Sequence, residues 1–191
     1  MKKRLTIILF LFALITYAKK LVYPIEVVAG MADLIVVGEI ERVHANSYDF
    51  KINSTIKGKE QKTIKVQIFK EWKCDTRMKK PETGQKLFLF LIEKMGSYEI
   101  VNGSTGEIFI ENNHIIRTIF TLKPTVEELS VAVRVFASCY TYKGEYKADG
   151  ADIFIQTKDN ETMEKLKRTS PLTIDFFDKM NSYTIQNFSI F

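Results

Sequence analysis

Chemistry in a protein needs nucleophiles, bases or metal ligands held in company, and this chain carries few of them. It has two histidines, His44 and His114, and two cysteines, Cys74 and Cys139, with no Cys-x-x-Cys and no His-x-x-x-His spacing. A transition-metal centre gathers three or four such ligands, so no metal site and no cofactor is expected. Cys74 stands beside Asp75, and a histidine brought to it by the fold would make a nucleophile–base pair. Glu107 follows an Asn-Gly-Ser-Thr-Gly stretch and would, beside Glu39 or Asp33, make a carboxylate couple of the glycosidase kind. Nothing in the spacing ties either set together. The stretch at 102–106 lacks the Lys-Ser/Thr ending and the following helix of a phosphate loop, and there is no Gly-x-Ser-x-Gly. The reading is therefore a non-enzymatic protein, with a small hydrolase using Cys74 or a carboxylate pair as an alternative.

The same cysteines form an even pair. Bridged, Cys74 and Cys139 would close a loop of about 65 residues and stabilise the fold by roughly 4 kcal/mol. That bridge is the expectation in an oxidising compartment, with two free thiols the alternative, since only the fold decides whether the Cα atoms come within reach.

The compartment is read from the N-terminus. Lys2, Lys3 and Arg4 precede an uncharged apolar run over residues 5–15, and Thr16-Tyr17-Ala18 places small residues at −3 and −1 of a cleavage site. The run is short of the roughly 20 apolar residues a spanning helix needs. Residues 1–18 thus read as a signal peptide and the working protein as extracytoplasmic, periplasmic or secreted, with no stable membrane insertion after cleavage. The leader removes three of the 28 basic residues and no acidic one, which leaves 25 against 23. A net charge near +2 offers no clustered basic excess for nucleic acid. The lysines at 57, 59, 62, 65, 70 and 73 read as guards of an exposed strand edge.

Any site must be positioned by β structure. Residues 19–31 read as a lead-in broken by Pro24, with a helical turn over 25–31. Residues 34–43 are rich in β-branched side chains, with Gly38 marking a bulge or sharp bend. Alternation over 48–56, 63–69, 98–101 and 107–110, and the unbroken apolar run 87–92, give five or six strands in about 80 residues. The fold class expected is mainly β (α+β): an OB-like Greek-key barrel over residues 32–115. Residues 116–191 form a packed helix and a small α+β extension. Thr125 and Glu128 fit a capping box, so a helix is expected from about 125 to 140, covering one end of the barrel. A strand over 152–157, a polar helix or loop over 159–168, and a helical tail over 171–183 follow.

Ala32-Asp33 before the first apolar strand, Ile56-Lys57-Gly58 after the second, Cys74 in the long loop, and Gly84-Gln85-Lys86 running into the fourth strand form an ordered set. In these features residues 32–111 resemble the OB-fold barrel of the tissue-inhibitor-of-metalloproteinases (netrin-like) superfamily. The resemblance implies a five-stranded barrel with a helix against it. In the animal inhibitors an N-terminal cysteine chelates the protease zinc; here the chain after the leader begins near Lys19-Lys20-Leu21, with no cysteine before Cys74. The chelating mechanism therefore has no residues to act through.

Barrels of this kind take ligands across the second and third strands and the adjoining loops. Tyr48, Lys65, Trp72 and Arg77 are the candidate binding residues there, aromatics and cations able to stack on a partner's side chains. The expectation is a binding module for an unidentified protein partner, with a protease inhibitor of the barrel-rim type as the other alternative.

Overall fold

The computed structural model describes residues 20–116, 123–144 and 153–187. The leader over residues 1–18, with its cleavage site, lies outside the described residues. In chain order the elements are helix α1 (Ile25–Met31) and strands β1 (Leu34–Val43), β2 (Ser47–Lys57), β3 (Thr63–Gln67), β4 (Lys86–Lys94), β5 (Ser97–Ile100), β6 (Glu107–Glu111) and β7 (His114–Ile116). Helix α2 (Val126–Cys139), strands β8 (Tyr140–Lys143) and β9 (Ile153–Gln156), helices α3 (Asn160–Lys167) and α4 (Pro171–Lys179), and strand β10 (Thr184–Asn187) complete the described chain.

Strands β1 to β5 close into a barrel in the order β1-β2-β3-β5-β4, with β4 returning to β1. Every contact between barrel neighbours is antiparallel except β3 with β5, which run parallel and meet at Val66 and Tyr98. This is the OB-like barrel of the sequence reading. The β6–β7 hairpin extends the sheet from β4. Its turn places Asn112 and Asn113 at φ 48° and 63°, the left-handed pair that a tight hairpin requires.

The unbroken apolar run of β4 has a simple cause. Leu87, Leu89 and Leu91 point into the barrel, where they meet Val36, Phe50, Ile64 and Val66. The intervening Phe88 and Phe90 point outward into a second core with Ile35, Val28 of α1, Leu129 and Phe136 of α2, and Phe176 of α4. A strand buried on both faces cannot alternate with polar residues. Helix α2 packs into this second core through Leu129, Ala132, Val133 and Phe136, and β2 is the barrel strand it runs nearest. Its start is the Thr125–Glu128 capping box, as the residues predict.

The extension builds a three-stranded sheet, β10-β9-β8, whose Phe154 packs edge-on to Phe136 and Tyr140. The helical tail expected to Tyr183 instead ends its α-helix at Lys179 and turns through a short 3₁₀ segment into β10, parallel to β9. Tyr183 donates its hydroxyl to the buried Glu26 of α1, 3.0 Å away, so the extension is tied to the lead-in helix. Lys57 is no edge guard. Its Nζ donates to the Ala29 and Gly30 carbonyls at 3.1 Å each, satisfying the C-terminal end of α1, and burial lowers its pKa. Among the described residues no helix is long and apolar enough to cross a membrane.

Gly38 sits where the β1–β2 register shifts, and a Cβ there would lie 2.0 Å from the Lys51 carbonyl oxygen and 2.8 Å from the Phe50 ring. The first of these neighbours is backbone and cannot rotate away. Gly38→Ala is expected to cost at least about 2 kcal/mol, the scale of overpacking in a closed core, measured as a fall in the urea midpoint.

Candidate functional site

One rim of the barrel gathers three segments of the chain: residues 20–24 ahead of α1, the loop of residues 68–85 between β3 and β4, and the turn 102–106 between β5 and β6. Charged contacts fasten them. Lys20 Nζ lies 2.7 Å from Asp75 Oδ1, both side chains only 9% exposed, and it also donates to Ser104 Oγ at 3.0 Å. The Ser104 backbone N–H donates to the same Asp75 oxygen at 3.1 Å. Asn102, in the left-handed region at φ 52°, clamps the incoming segment. Its Nδ2 donates to the Leu21 carbonyl at 3.0 Å, and its Oδ1 accepts from the Tyr23 N–H at 3.1 Å.

Beneath this knot is a buried ionic cluster. Arg77 Nη2 lies 2.7 Å from Glu107 Oε1, with the side chains 2% and 0% exposed. The Tyr48 hydroxyl donates to the same oxygen at 3.2 Å. The guanidinium sits between two rings, 5.8 Å from the Tyr48 centroid and 5.5 Å from that of Phe69. Arg77 Nη1 and Nη2 and Glu107 Oε2 have no hydrogen-bond partner among the described residues, so Nη2 meets Oε1 as an ion pair. Burial raises the Glu107 pKa to about 7, while Arg77 and Tyr48 draw it back and Glu71 pushes it further up. Burial likewise holds the Tyr48 hydroxyl well above its ordinary pKa, with the Glu107 charge acting in the same direction.

The structure divides the four residues singled out in the sequence. Tyr48 and Arg77 come together, but inside the protein and facing Glu107, so neither offers a surface to a partner. The reason lies in β2, where Tyr48 and Phe50 point inward and are fully buried. Lys65 stands apart on the outer face of β3, opposite Asp49, whose pKa is lowered first by its hydrogen bond from His44. Trp72 remains on the rim, 40% exposed, held by paired backbone hydrogen bonds with Asp75.

Glu107, Asp75, Lys20 and Asn102 were not marked as binding residues. Glu107 had a legible signal: it shares a strand face with Phe109, which lines the barrel interior, and an inward charge demands a buried partner. The fastening of Lys20 to residues far along the chain left no local signal.

Cys74 and Cys139 do not form the expected bridge. Cys74 is exposed on the loop and Cys139 is buried at the end of α2, both as free thiols. The carboxylates once considered as a couple serve separate partners: Glu107 meets Arg77, Glu39 meets Lys51, and Asp33 accepts the Glu93 backbone N–H. The histidine rings are likewise engaged elsewhere, His44 with Asp49 and His114 with the Asn112 carbonyl. Among the described residues no group of three His, Cys, Asp or Glu side chains is arranged to hold a metal ion. No family model, curated protein or solved structure matches the chain.

Two predictions follow from this geometry. Glu107 binds its proton more tightly folded, at about 7, than unfolded, near the ordinary 4.5. The native state therefore carries the extra proton between these values, and global stability is expected to fall as pH rises through that window, by up to about 3 kcal/mol. Glu107→Gln should flatten this slope in urea unfolding at pH 5 and pH 8. In the native protein a maleimide should label Cys74 within minutes and Cys139 only after denaturation, which mass spectrometry would resolve.

Proposed function

We propose that the protein is an exported, non-enzymatic binding module that engages a protein partner through the rim formed by residues 20–24 and the 68–85 loop. The observation that carries the reading is that four of the eight exposed large apolar side chains among the described residues lie on these two fastened segments. Trp72 and Met78 on the loop are 40% and 50% exposed, and Leu21 and Val22 on the segment fastened to it are 42% and 54% exposed. Clustered exposed apolar groups mark interaction surfaces, and a tryptophan among them is the residue type most enriched at binding hot spots. Lys70, Lys73 and Lys80 on the same loop are exposed too, which suits a partner whose apolar contact is bordered by acidic side chains.

The leader-like N-terminus supports export, and the barrel topology with a helix ahead of β1 supports kinship with the tissue-inhibitor-of-metalloproteinases superfamily. A second reading, a protease inhibitor, is favoured by the segment 20–23: it is non-helical, fixed at both Lys20 and Asn102, and presents Leu21 and Val22 outward. Such a segment suits an enzyme cleft.

The test is affinity capture from envelope and culture-supernatant extract with the exported protein as bait. Trp72→Ala should weaken the captured interaction about 30-fold, the scale of a hot-spot residue. Met95→Ala, at a fully exposed tip on another turn, should leave it unchanged. Equal affinity for all three proteins would remove this rim from the reading, and a protease as the captured partner would select the inhibitor.

A further inference from the structure

We propose that the Arg77–Glu107 ion pair is a proton-operated latch: with Glu107 ionised it holds the 68–85 loop and Trp72 on the barrel, and proton uptake by Glu107 releases them. The inference rests on the reading of this rim as a binding surface and concerns its regulation.

Past Ile68 and Phe69, which pack on the barrel core, the loop is held by charge and not by apolar burial. Between residues 70 and 84 only Asp75 and Arg77 are buried; Trp72, Met78 and the lysines face solvent. At its ends the loop is fixed by backbone hydrogen bonds, Ile68 N–H to Asn46 O and Gly84 N–H to Ile40 O. In its middle it is fixed by Asp75 on Lys20 and Ser104, by the exposed Lys79–Glu111 pair, and by Arg77 on Glu107. An exposed pair of that kind contributes little. The Arg77–Glu107 pair is fully desolvated, and removing the charge of one partner leaves the other buried and unmatched. Arg77 is the partner able to withdraw, because it sits on a loop and not in a strand, and its Nη1 and Nη2, though buried, make no hydrogen bond among the described residues. Glu107 is not, because it is part of β6 and paired with β4.

The charged and titratable groups around Glu107 set the direction. Arg77 from the loop and Tyr48 from β2 favour the carboxylate; burial and Glu71 from the loop disfavour it. Withdrawal of Arg77 takes away the main support of the ionised form, so the released loop binds the proton more tightly than the latched one. By linkage, a falling pH then shifts the population towards release. The same proton strengthens the barrel against global unfolding, because Glu107 in the unfolded chain binds it less tightly. Local release and global stability thus move in opposite directions with pH, which separates the latch from acid denaturation.

Trp72 is the only tryptophan in the chain, so its fluorescence reports this loop directly. The experiment is a titration of the exported protein from pH 8.5 to 5.5 by Trp72 emission, with hydrogen exchange corrected for the intrinsic pH dependence. The expected result is a one-proton transition near neutrality. Amides of residues 70–83 should exchange at least about 10-fold faster at pH 6 than at pH 8, while those of β1 and β4 show no acceleration. Glu107→Gln should show the low-pH emission at every pH. If that variant does not fold, Arg77→Met opens the latch from the loop side, and its loop amides should exchange rapidly at both pH values.

Histidine is the other side chain that changes charge in this range, and His44 lies in the turn beside Asn46 that contacts the loop. The transition should therefore survive in a His44→Asn, His114→Asn double variant. A transition that disappears there, or a Trp72 signal and loop exchange that do not respond to pH in the wild type, overturns the latch. Because the readout uses the protein alone, failure to find a partner leaves this result standing, and a partner bound equally at pH 6 and 8 leaves the rim reading intact.

Discussion

The rest of the structure depends on β4 having to be dry on both sides. One face carries leucines into the barrel and the other carries phenylalanines into the helical layer. Neither core stands without the other: the barrel interior is lined by one side of β1 and β4, and the outward side would expose Ile35, Phe88 and Phe90 if α1, α2 and the extension were removed. At roughly 1.5–3 kcal/mol for each large apolar side chain buried, leaving these three in water would cost about as much as a small domain's whole stability. The extension past residue 123 is therefore the barrel's second wall. Tyr183 on Glu26, and Tyr142 and Phe154 packed closely on Gly30, stitch that wall to α1.

Among the side chains facing the barrel interior one carboxylate is out of place. Glu107 occupies an inward position on β6, in register with Leu89, and brings a carboxylate to where burial favours its neutral form. Arg77 answers it from outside the sheet, which makes the 68–85 loop part of the barrel's electrostatics. A hydrophobic residue at 107 would remove one of the loop's two buried charged anchors, the other being Asp75 on Lys20 and Ser104. The buried pair is thus better understood as fixing the position of a loop than as adding net stability, in keeping with the high desolvation cost of such pairs.

How much of this was legible in the residues differed by level. The strands of the barrel were readable almost to their ends, because β-branched alternation and Gly38 are local signals, and so was the Thr125 cap. The hairpin strand β7 was missed because Asn112-Asn113-His114 reads as polar turn while hiding a two-residue left-handed reversal. β8 and β10 were missed because each is four residues long and takes its strand character from partners distant in the chain. The placement of Tyr48 was misjudged for a different reason: its alternation was correctly seen, but an aromatic with a hydroxyl reads as a surface residue until a buried carboxylate is known to receive that hydroxyl. Of the proposed rim, only Trp72 kept the surface role that its loop position suggested.

The way the N-terminal segment is held bears on what the rim can do. That segment has no covalent cross-link: both thiols are free, and Lys20 on Asp75 with Asn102 on the backbone of residues 21–23 do the work. A disulfide acts mainly by restricting the unfolded chain and is indifferent to salt. An ion pair that keeps some exposure is screened by salt, less than a surface pair but more than a wholly buried one. Trp72 shares its backbone bridge with Asp75, so whatever loosens the lysine's grip also loosens the tryptophan's footing. The apolar surface of this rim is consequently presented by electrostatics, and its shape is a function of the solution around it in a way that a cross-linked rim would not be.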